Sequence, residues 1–388
     1  MKKTVHLVLE IVMYSFIVLN LTGCWDNVEL NKIAIIMGIG IDKSPGIGNV
    51  DMTIQVANTA GIKSSSTDII GSKNTTAYFN LESKGDTVYD VIKSFSKKAS
   101  RKLFFAQNQV IIIGKGIAEE GLGKYIDFFF RNRETRRLVW ILISDKTASE
   151  ILNVQSDFEN IPSISINELI KQQQFNSEAP MIDLHEFSSR LMSKTTSPIA
   201  PIIKVTIEGD KKIAYVSGTA VFKKDKMVGE LNKSETRGML WTLGEVKKGI
   251  IVTNAPGTYN KISLETTSSS SKLIPEIKNG KITMKIIIKE DGNLGDQSDS
   301  SDLTNLKTLE ALEKEKAYVI KSEVMLALKK AQHLDADIFG FGEAIYQKYP
   351  ERWKYMENNW DETFKDINVD IQVEARLKRP GKITKPII

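Results

Sequence analysis

Leu21-Thr22-Gly23-Cys24 closes a short apolar segment at the N-terminus and holds the only cysteine among 388 residues. In front of it lie a basic start at Lys2 and Lys3, an apolar run from Ile11 to Leu19 and the small residue Gly23. That order of parts is the anatomy of a secretory signal peptide. A spanning helix needs about 20 apolar residues in a row, whereas Glu10 and Asn20 bracket a run of nine. Leu at minus three, Gly at minus one and Cys at plus one look like a lipobox. Such a signal directs cleavage between Gly23 and Cys24 and an S-diacylglyceryl group on Cys24, with or without an N-acyl group. The competing readings are an ordinary secretory signal and a core helix with a chance cysteine; charge, length, small residue and unique cysteine together favour the lipobox. A diglyceride carries two acyl chains, such as palmitate, at about 0.8 kcal/mol per buried methylene, and two chains are what stable anchoring takes. The expectation is that residues 1–23 are removed and that the mature chain stays on a membrane surface with no transmembrane span.

Domains usually run to about 150 residues, so this length predicts two or three. With 41% hydrophobic and 26% charged residues the chain can bury real cores. Lys and Arg outnumber Asp and Glu by 53 to 48; removing Lys2, Lys3 and Glu10 leaves 51 against 47, or +4. That balance is too mild to predict nucleic-acid binding. It is compatible with an anionic membrane nearby, and solubility alone would also explain it. One cysteine can form no internal disulfide, and lipidation consumes its thiol, which leaves no free nucleophile. His6 goes with the signal, and His185 and His333 lie far apart with no cysteine near either. No metal site is expected, and no cofactor.

Beyond the anchor, Ile33 to Ile41 reads as a strand buried on both faces, and Val50 to Val56, with period two, as a strand buried on one. Asp42-Lys43-Ser44-Pro45-Gly46 between them is turn chemistry. Ser64 to Thr76 reads as a surface loop and Tyr78 to Ser83 as a strand. Thr87 to Ala99 has helical spacing. A buried strand at Gln109 to Ile113, a helix at Ile117 to Phe130, a strand at Leu138 to Ile143 and a helix from Ala148 to Leu152 follow. Strands then dominate: Lys204 to Glu208 and Ile213 to Phe222 flank a hairpin turn, Met227 to Leu231 follows, and others fall at 250–253, 261–267, 272–278 and 281–289. A long amphipathic helix spans Leu303 to Leu334, Pro350 separates two more helices, and Val369 to Leu377 closes as an alternating strand. This pattern predicts an α+β, multidomain protein whose mixed β-sheets carry packed helices. The expected organisation is an N-terminal α/β-type domain at 24–195, with a small helical subdomain at 145–192, a linker at 196–212 marked by Pro198 and Pro201, and a C-terminal α+β domain at 213–388.

Several stretches invite a sharper reading. Gly114, Gly116, Gly121 and Gly123 sit at a strand-to-helix junction, but Glu119 stands where a dinucleotide fingerprint needs its third Gly, and no stretch fits a P-loop; turn and capping roles account for them better. No G-x-S-x-G elbow occurs. Arg131, Arg133, Arg136 and Arg137 follow three phenylalanines and form either a solvated edge or a partner-facing patch. Trp25 suits either the headgroup level or packing on the first domain. Trp353 and Trp360, seven apart with Met356 and Phe364, line one face of a helix, as core anchors or as docking aromatics.

Taken together, Cys24-Trp25-Asp26-Asn27-Val28-Glu29-Leu30, Arg101 through Phe105, Val110 through Gly114, Arg131 through Arg137, Gly218 through Phe222, Lys226 through Leu231, Gly340-Phe341-Gly342 and the Trp353–Trp360 segment resemble the Ger(x)C lipoproteins, the C subunits of nutrient germinant receptors of spore-forming bacteria. The resemblance runs from Cys24 to the last strand. It implies a noncatalytic protein tethered to the outer face of the spore inner membrane, beside multispanning A-type and B-type partner subunits, acting in spore germination. It makes Trp25, Asp26, Glu29, Arg131, Arg133, Trp353 and Trp360 candidate partner-docking residues. The other function compatible with these residues is a solute-binding lipoprotein that delivers a small nutrient to a transporter. No motif exposes the carboxylate pair or metal site that a hydrolase would need.

Overall fold

Val110-Ile111-Ile112-Ile113 shows why the first sheet is covered on both sides. All four residues are fully buried, Val110 and Ile112 in one apolar cluster and Ile111 and Ile113 in another. Successive strand side chains point to opposite faces, so helices must cover both. The computed structural model describes residues 2–20, 29–46, 50–58, 76–278, 281–298, 303 and 305–379. The strands of the first sheet are β1 (Ile33–Lys43), β2 (Val50–Ala57), β3 (Tyr78–Gly85), β4 (Lys102–Phe104), β5 (Val110–Ile113), β6 (Trp140–Ser144), β7 (Ile199–Glu208), β8 (Lys211–Lys223) and β9 (Lys226–Leu231). Their order is β3-β2-β1-β5-β6-β7-β8-β9, with β4 beside the start of β1. β1, β5, β6 and β7 are parallel, and antiparallel hairpins flank them.

The helices preceding β7 are α1 (Lys2–Asn20), α2 (Val88–Phe95), α3 (Lys115–Glu120), α4 (Gly123–Arg131), α5 (Ala148–Leu152), α6 (Pro162–Lys171), α7 (Gln173–Asn176) and α8 (Leu184–Met192). Among the described residues no helix, α1 included, is long and apolar enough to cross a membrane. The 145–192 region does not stand apart: Ile151, Leu152, Ile166 and Ile170 pack on Val110, Ile112, Leu142 and Ile203 and so cover one face of the sheet. That cover also corrects the expectation for β2, which is buried on both sides. Its fully buried Gln55 donates to the Leu152 carbonyl at 2.9 Å and accepts from the Ser163 amide at 2.9 Å.

Residues 196–212 are not a linker. Ile199 to Glu208 is β7, held between β6 and β8, and its Ile199, Ala200, Ile202 and Ile203 are buried. Pro201 is tolerated because the β7–β8 register shifts between Pro201 and Ile203, where a missing N–H costs no ladder bond. The helix expected at 117–130 is likewise two, α3 and α4, broken where Gly121 adopts φ +128°. The β8–β9 turn fills the break: the amides of Leu122 and Gly123 donate to the Asp225 carbonyl at 3.0 Å and to its carboxylate at 3.3 Å. A Cβ at Gly121 or Gly123 would stand 3.0 Å from Asp225 Oδ2. The glycine cluster therefore admits a neighbouring turn. The loop expected at 64–76 lies, apart from Thr76, outside the described residues.

The second sheet consists of β10 (Gly249–Asn254), β11 (Lys261–Lys278), β12 (Lys281–Gln297) and β13 (Asn368–Arg379), in that order. The two strands expected at 261–267 and 272–278 are one, because shifts at Ser263/Leu264 and Thr266/Ser268 let the chain pass its serine-rich stretch without leaving the sheet. Between the sheets runs α9 (Lys233–Leu243), and α10 (Leu306–His333) lies along the second sheet, with Ile320, Val324 and Ala327 in one apolar cluster with Met284, Ile286 and Ile371. That cluster is continuous with the core of the first sheet. α11 (Phe341–Lys348), α12 (Pro350–Met356) and α13 (Trp360–Lys365) close the fold.

α9 has a sequence signature that strand patterning hides: Asn232 and Glu235 form a reciprocal capping box, and Gly244 ends the helix at φ +71°. It meets α10 with almost no space. A Cβ on Gly238 would come 2.0 Å from the Glu323 carbonyl oxygen, and the Glu323 carboxylate accepts from Arg237 Nε at 2.9 Å and Trp241 Nε1 at 3.0 Å. Gly238→Ala should push the helices apart and cost about 1–3 kcal/mol or more, seen as a lower denaturant midpoint. An unchanged midpoint would contradict this close crossing.

Candidate docking surface

Thr87 caps α2 by accepting from the Asp90 amide at 3.1 Å, and Val88, Val91 and Phe95 turn inward. The outer face is left to Tyr89 and Lys93, one turn apart, with the ammonium 5.4 Å from the ring centroid. α4 does the same, burying Tyr125, Ile126 and Phe129 and turning Lys124, Asp127, Phe128 and Arg131 outward. Between these helices and β4 lies an open hollow of about 960 Å³. Val88, Ile92, Leu103, Phe105 and the Tyr89–Phe128 pair, 5.9 Å between centroids, form its apolar lining, and Arg101, Lys102, Arg131 and Arg133 its basic rim. A second hollow of about 400 Å³ beside β6 is lined by Arg136, Arg137, Leu138 and Trp140.

Two rim cations are paired in the open. Arg131 Nε lies 2.6 Å from Asp127 Oδ2, which holds the Asp127 carboxyl below its usual value, and Lys102 Nζ lies 3.1 Å from Glu134. Exposed pairs of this kind contribute at most about 1 kcal/mol and leave both groups available to a partner. Arg101, Arg133, Arg136 and Arg137 are exposed and have no carboxylate within ion-pair distance among the described residues.

Of the residues singled out from sequence, Cys24, Trp25 and Asp26 lie outside the described residues. Glu29 is exposed, 3.6 Å from Lys32. Arg131 and Arg133 come together on the rim. Trp353 and Trp360 lie in the core rather than on the surface: they are 3% and 4% exposed, their rings 5.1 Å apart. Nor do they share one helix, since a 3-10 turn at Glu357–Asn359 separates α12 from α13. Their place is set by Asp337, whose buried carboxylate accepts from the amides of Phe339, Gly340, Phe341 and Gly342 and from Trp360 Nε1 at 3.2 Å. A Cβ on Gly342 would meet Trp353 and Trp360 at 2.9 Å. The Gly340-Phe341-Gly342 motif thus wraps a buried carboxylate. Local pattern does not single out Tyr89 and Lys93, although their i, i+4 spacing behind the Thr87 cap is an available signal; Phe128 is the first of the three phenylalanines ahead of the arginines.

Elsewhere the buried charges are structural. Lys316 and Glu290, both fully buried, lie 2.7 Å apart, and Lys316 also donates to the Glu265 carbonyl at 2.9 Å. Burial raises the Glu290 carboxyl and lowers the Lys316 ammonium, each against the pull of its partner. Among the described residues no group of three or more His, Cys, Asp or Glu could hold a metal ion.

The family described as "Spore germination protein N-terminal domain" matches residues 26–205, and "Spore germination B3/GerAC like, C-terminal" matches residues 217–381. Spore germination protein KC of Bacillus subtilis (strain 168) is 27% identical over 391 residues, 95% of each chain. Spore germination proteins B3 and A3 of the same organism are 23% and 24% identical, over 95% and 93% of this chain and 97% and 95% of their own. The crystal structure of the GerBC protein shares the fold, with a TM-score of 0.58 at 19% identity over 88% of this chain and 97% of that one. The chain belongs to the Ger(x)C family of spore germination proteins.

Asp337 yields a pH signature. Burial pushes its carboxyl up to about 6, although the backbone amides around it oppose the rise. The same group in the unfolded chain titrates near 3.8, so between those values the folded state holds a proton the unfolded state has lost. Its contribution is therefore most favourable below about pH 4 and falls as pH rises through 6, by about 3 kcal/mol in all. Denaturant midpoints across this range should fall more steeply towards neutral pH in the wild type than in Asp337→Asn; parallel profiles would contradict the assignment.

Proposed function

We propose that the mature chain is a noncatalytic, lipid-anchored subunit of a nutrient germinant receptor, held on the outer face of the spore inner membrane and acting by docking with multispanning membrane subunits. The observation that carries this reading is the match of both spore-germination families in order along residues 26–381. The first matched residue stands two positions after Cys24, the lipid-bearing residue of this reading. A chain with no described helix able to cross a membrane needs another means of staying on one, and two acyl chains on a single thioether supply it. Asp42, Asp337, Glu290 and Lys316 are engaged in turns, a helix start and a buried pair, which suits a subunit that works through contact surfaces. Its part is then to hold folded surfaces beside its partners, and the tether raises their effective concentration.

Cys24→Ala tests the anchor. The variant should be washed from spore inner membranes by high salt, and spores carrying it should respond to nutrients slowly or not at all. A variant that stays on the membrane through the wash and supports normal germination ends the anchored reading.

A further inference from the structure

β1, β4, β5 and β6 run parallel, so their N-terminal ends share one edge of the first sheet. α2 and α4 both return the chain towards that edge, and each delivers basic residues there: Arg101 and Lys102 ahead of and in β4, and Arg131 to Arg137 ahead of β6. The chain itself enters the fold at the same edge, because Ile33 at the start of β1 pairs with Lys102. Glu29 stands five positions beyond Cys24, which at about 3.5 Å per residue is a reach of about 17 Å. On the reading of Cys24 as a lipid anchor, this edge hangs next to the bilayer.

We infer that this edge is a membrane-seating surface that binds anionic phospholipid headgroups, with Arg101, Arg133, Arg136 and Arg137 as its principal contacts. Charge and chemistry agree. Elsewhere Arg190, Arg237 and Arg376 each have a carboxylate partner, as Lys43 has in Glu120 and Lys84 in Asp51. These four arginines have no such match among the described residues. Beside them Leu138 is 74% exposed and Tyr89 56% exposed, and the Tyr89–Phe128 floor opens between the guanidinium groups. Guanidinium groups meet phosphates through two parallel bonds, and a flanking leucine and tyrosine suit the depth just below headgroups. An acidic soluble partner would satisfy the charges but gives no reason for the chain to enter the fold here. Lipidation fixes distance from the bilayer; the basic edge adds orientation.

The test uses the mature chain, residues 24–388 with Cys24→Ala, so that neither a lipid nor the apolar segment 1–23 can mask the patch, and vesicles of phosphatidylcholine with or without phosphatidylglycerol. Binding should require phosphatidylglycerol, weaken with salt, and fall by about fivefold for each Arg→Gln replacement among the four. A nitroxide at Leu138→Cys should take up bilayer-interface accessibility on phosphatidylglycerol vesicles and lose it when all four arginines are replaced. All four are exposed, so thermal unfolding should confirm an intact fold. Equal binding to both vesicle types, or binding indifferent to the four replacements, overturns the inference. So does a label protected only when the membrane subunits are added, which would assign the edge to a protein partner. Because this binding does not use the lipid, its failure is distinct from failure of the Cys24 anchor.

Discussion

The crossing of α9 and α10 is the contact on which the rest of the molecule depends. α9 leaves the first sheet through β9 and leads to the second through β10, and α10 lies along that second sheet. Gly238 brings the α9 backbone against the Glu323 carbonyl, and the Glu323 side chain, 5% exposed, takes bonds from Arg237 and Trp241. Arg237 also donates to the Ile250 carbonyl of β10 at 2.9 Å, so one guanidinium ties both helices to an edge strand. A buried ion pair of this kind is costly to break, because either partner left alone is a desolvated charge. With the helices locked, one apolar core runs from the first sheet to the second, and the two halves of the chain are joined by packing rather than by a tether.

The ionisable groups that burial shifts most are used for architecture. Asp42 accepts the Ala148 and Ser149 amides at 2.7 and 2.9 Å at the start of α5; burial raises its carboxyl against those bonds. Asp337 holds the turn before α11 and orients Trp360, and Lys316 of α10 pairs with Glu290 of β12. Perturbed titration often marks reacting sites; Asp42, Asp337 and Lys316 instead have partners in backbone amides, a carbonyl or an opposite charge. What the surface offers instead is a basic edge with an apolar floor, assembled from α2, α4, β4 and the loop before β6.

That edge follows from topology. Parallel strands force every crossover to return to the edge where the next strand begins. Residues far apart in sequence, Arg101 and Arg136 among them, therefore gather where the chain enters β1. Neither helix was under any local requirement to place its basic residues there; their spacing requires only that they face outward.

Much of the fold was legible in local pattern, because burial on two faces leaves unbroken apolar runs such as Val110 to Ile113 and burial on one leaves alternation such as that of β13. The prolines at 198 and 201 misled, since a bulge accommodates Pro201 inside a central strand, and α9 went unread although its capping box was present. The tryptophan pair shows the limit most clearly. Spacing says that Trp353 and Trp360 belong together but not on which side of the protein surface, because an aromatic anchor and an exposed hot spot have the same local pattern. The sequence by itself determined the apolar N-terminal segment and the unique cysteine behind it, the α+β pattern and the lack of recognised catalytic motifs, all properties of short stretches. Only the tertiary structure decided that 199–208 joins the sheet, that both tryptophans close over Gly342, and that scattered arginines share one edge, because each depends on contacts between residues distant along the chain.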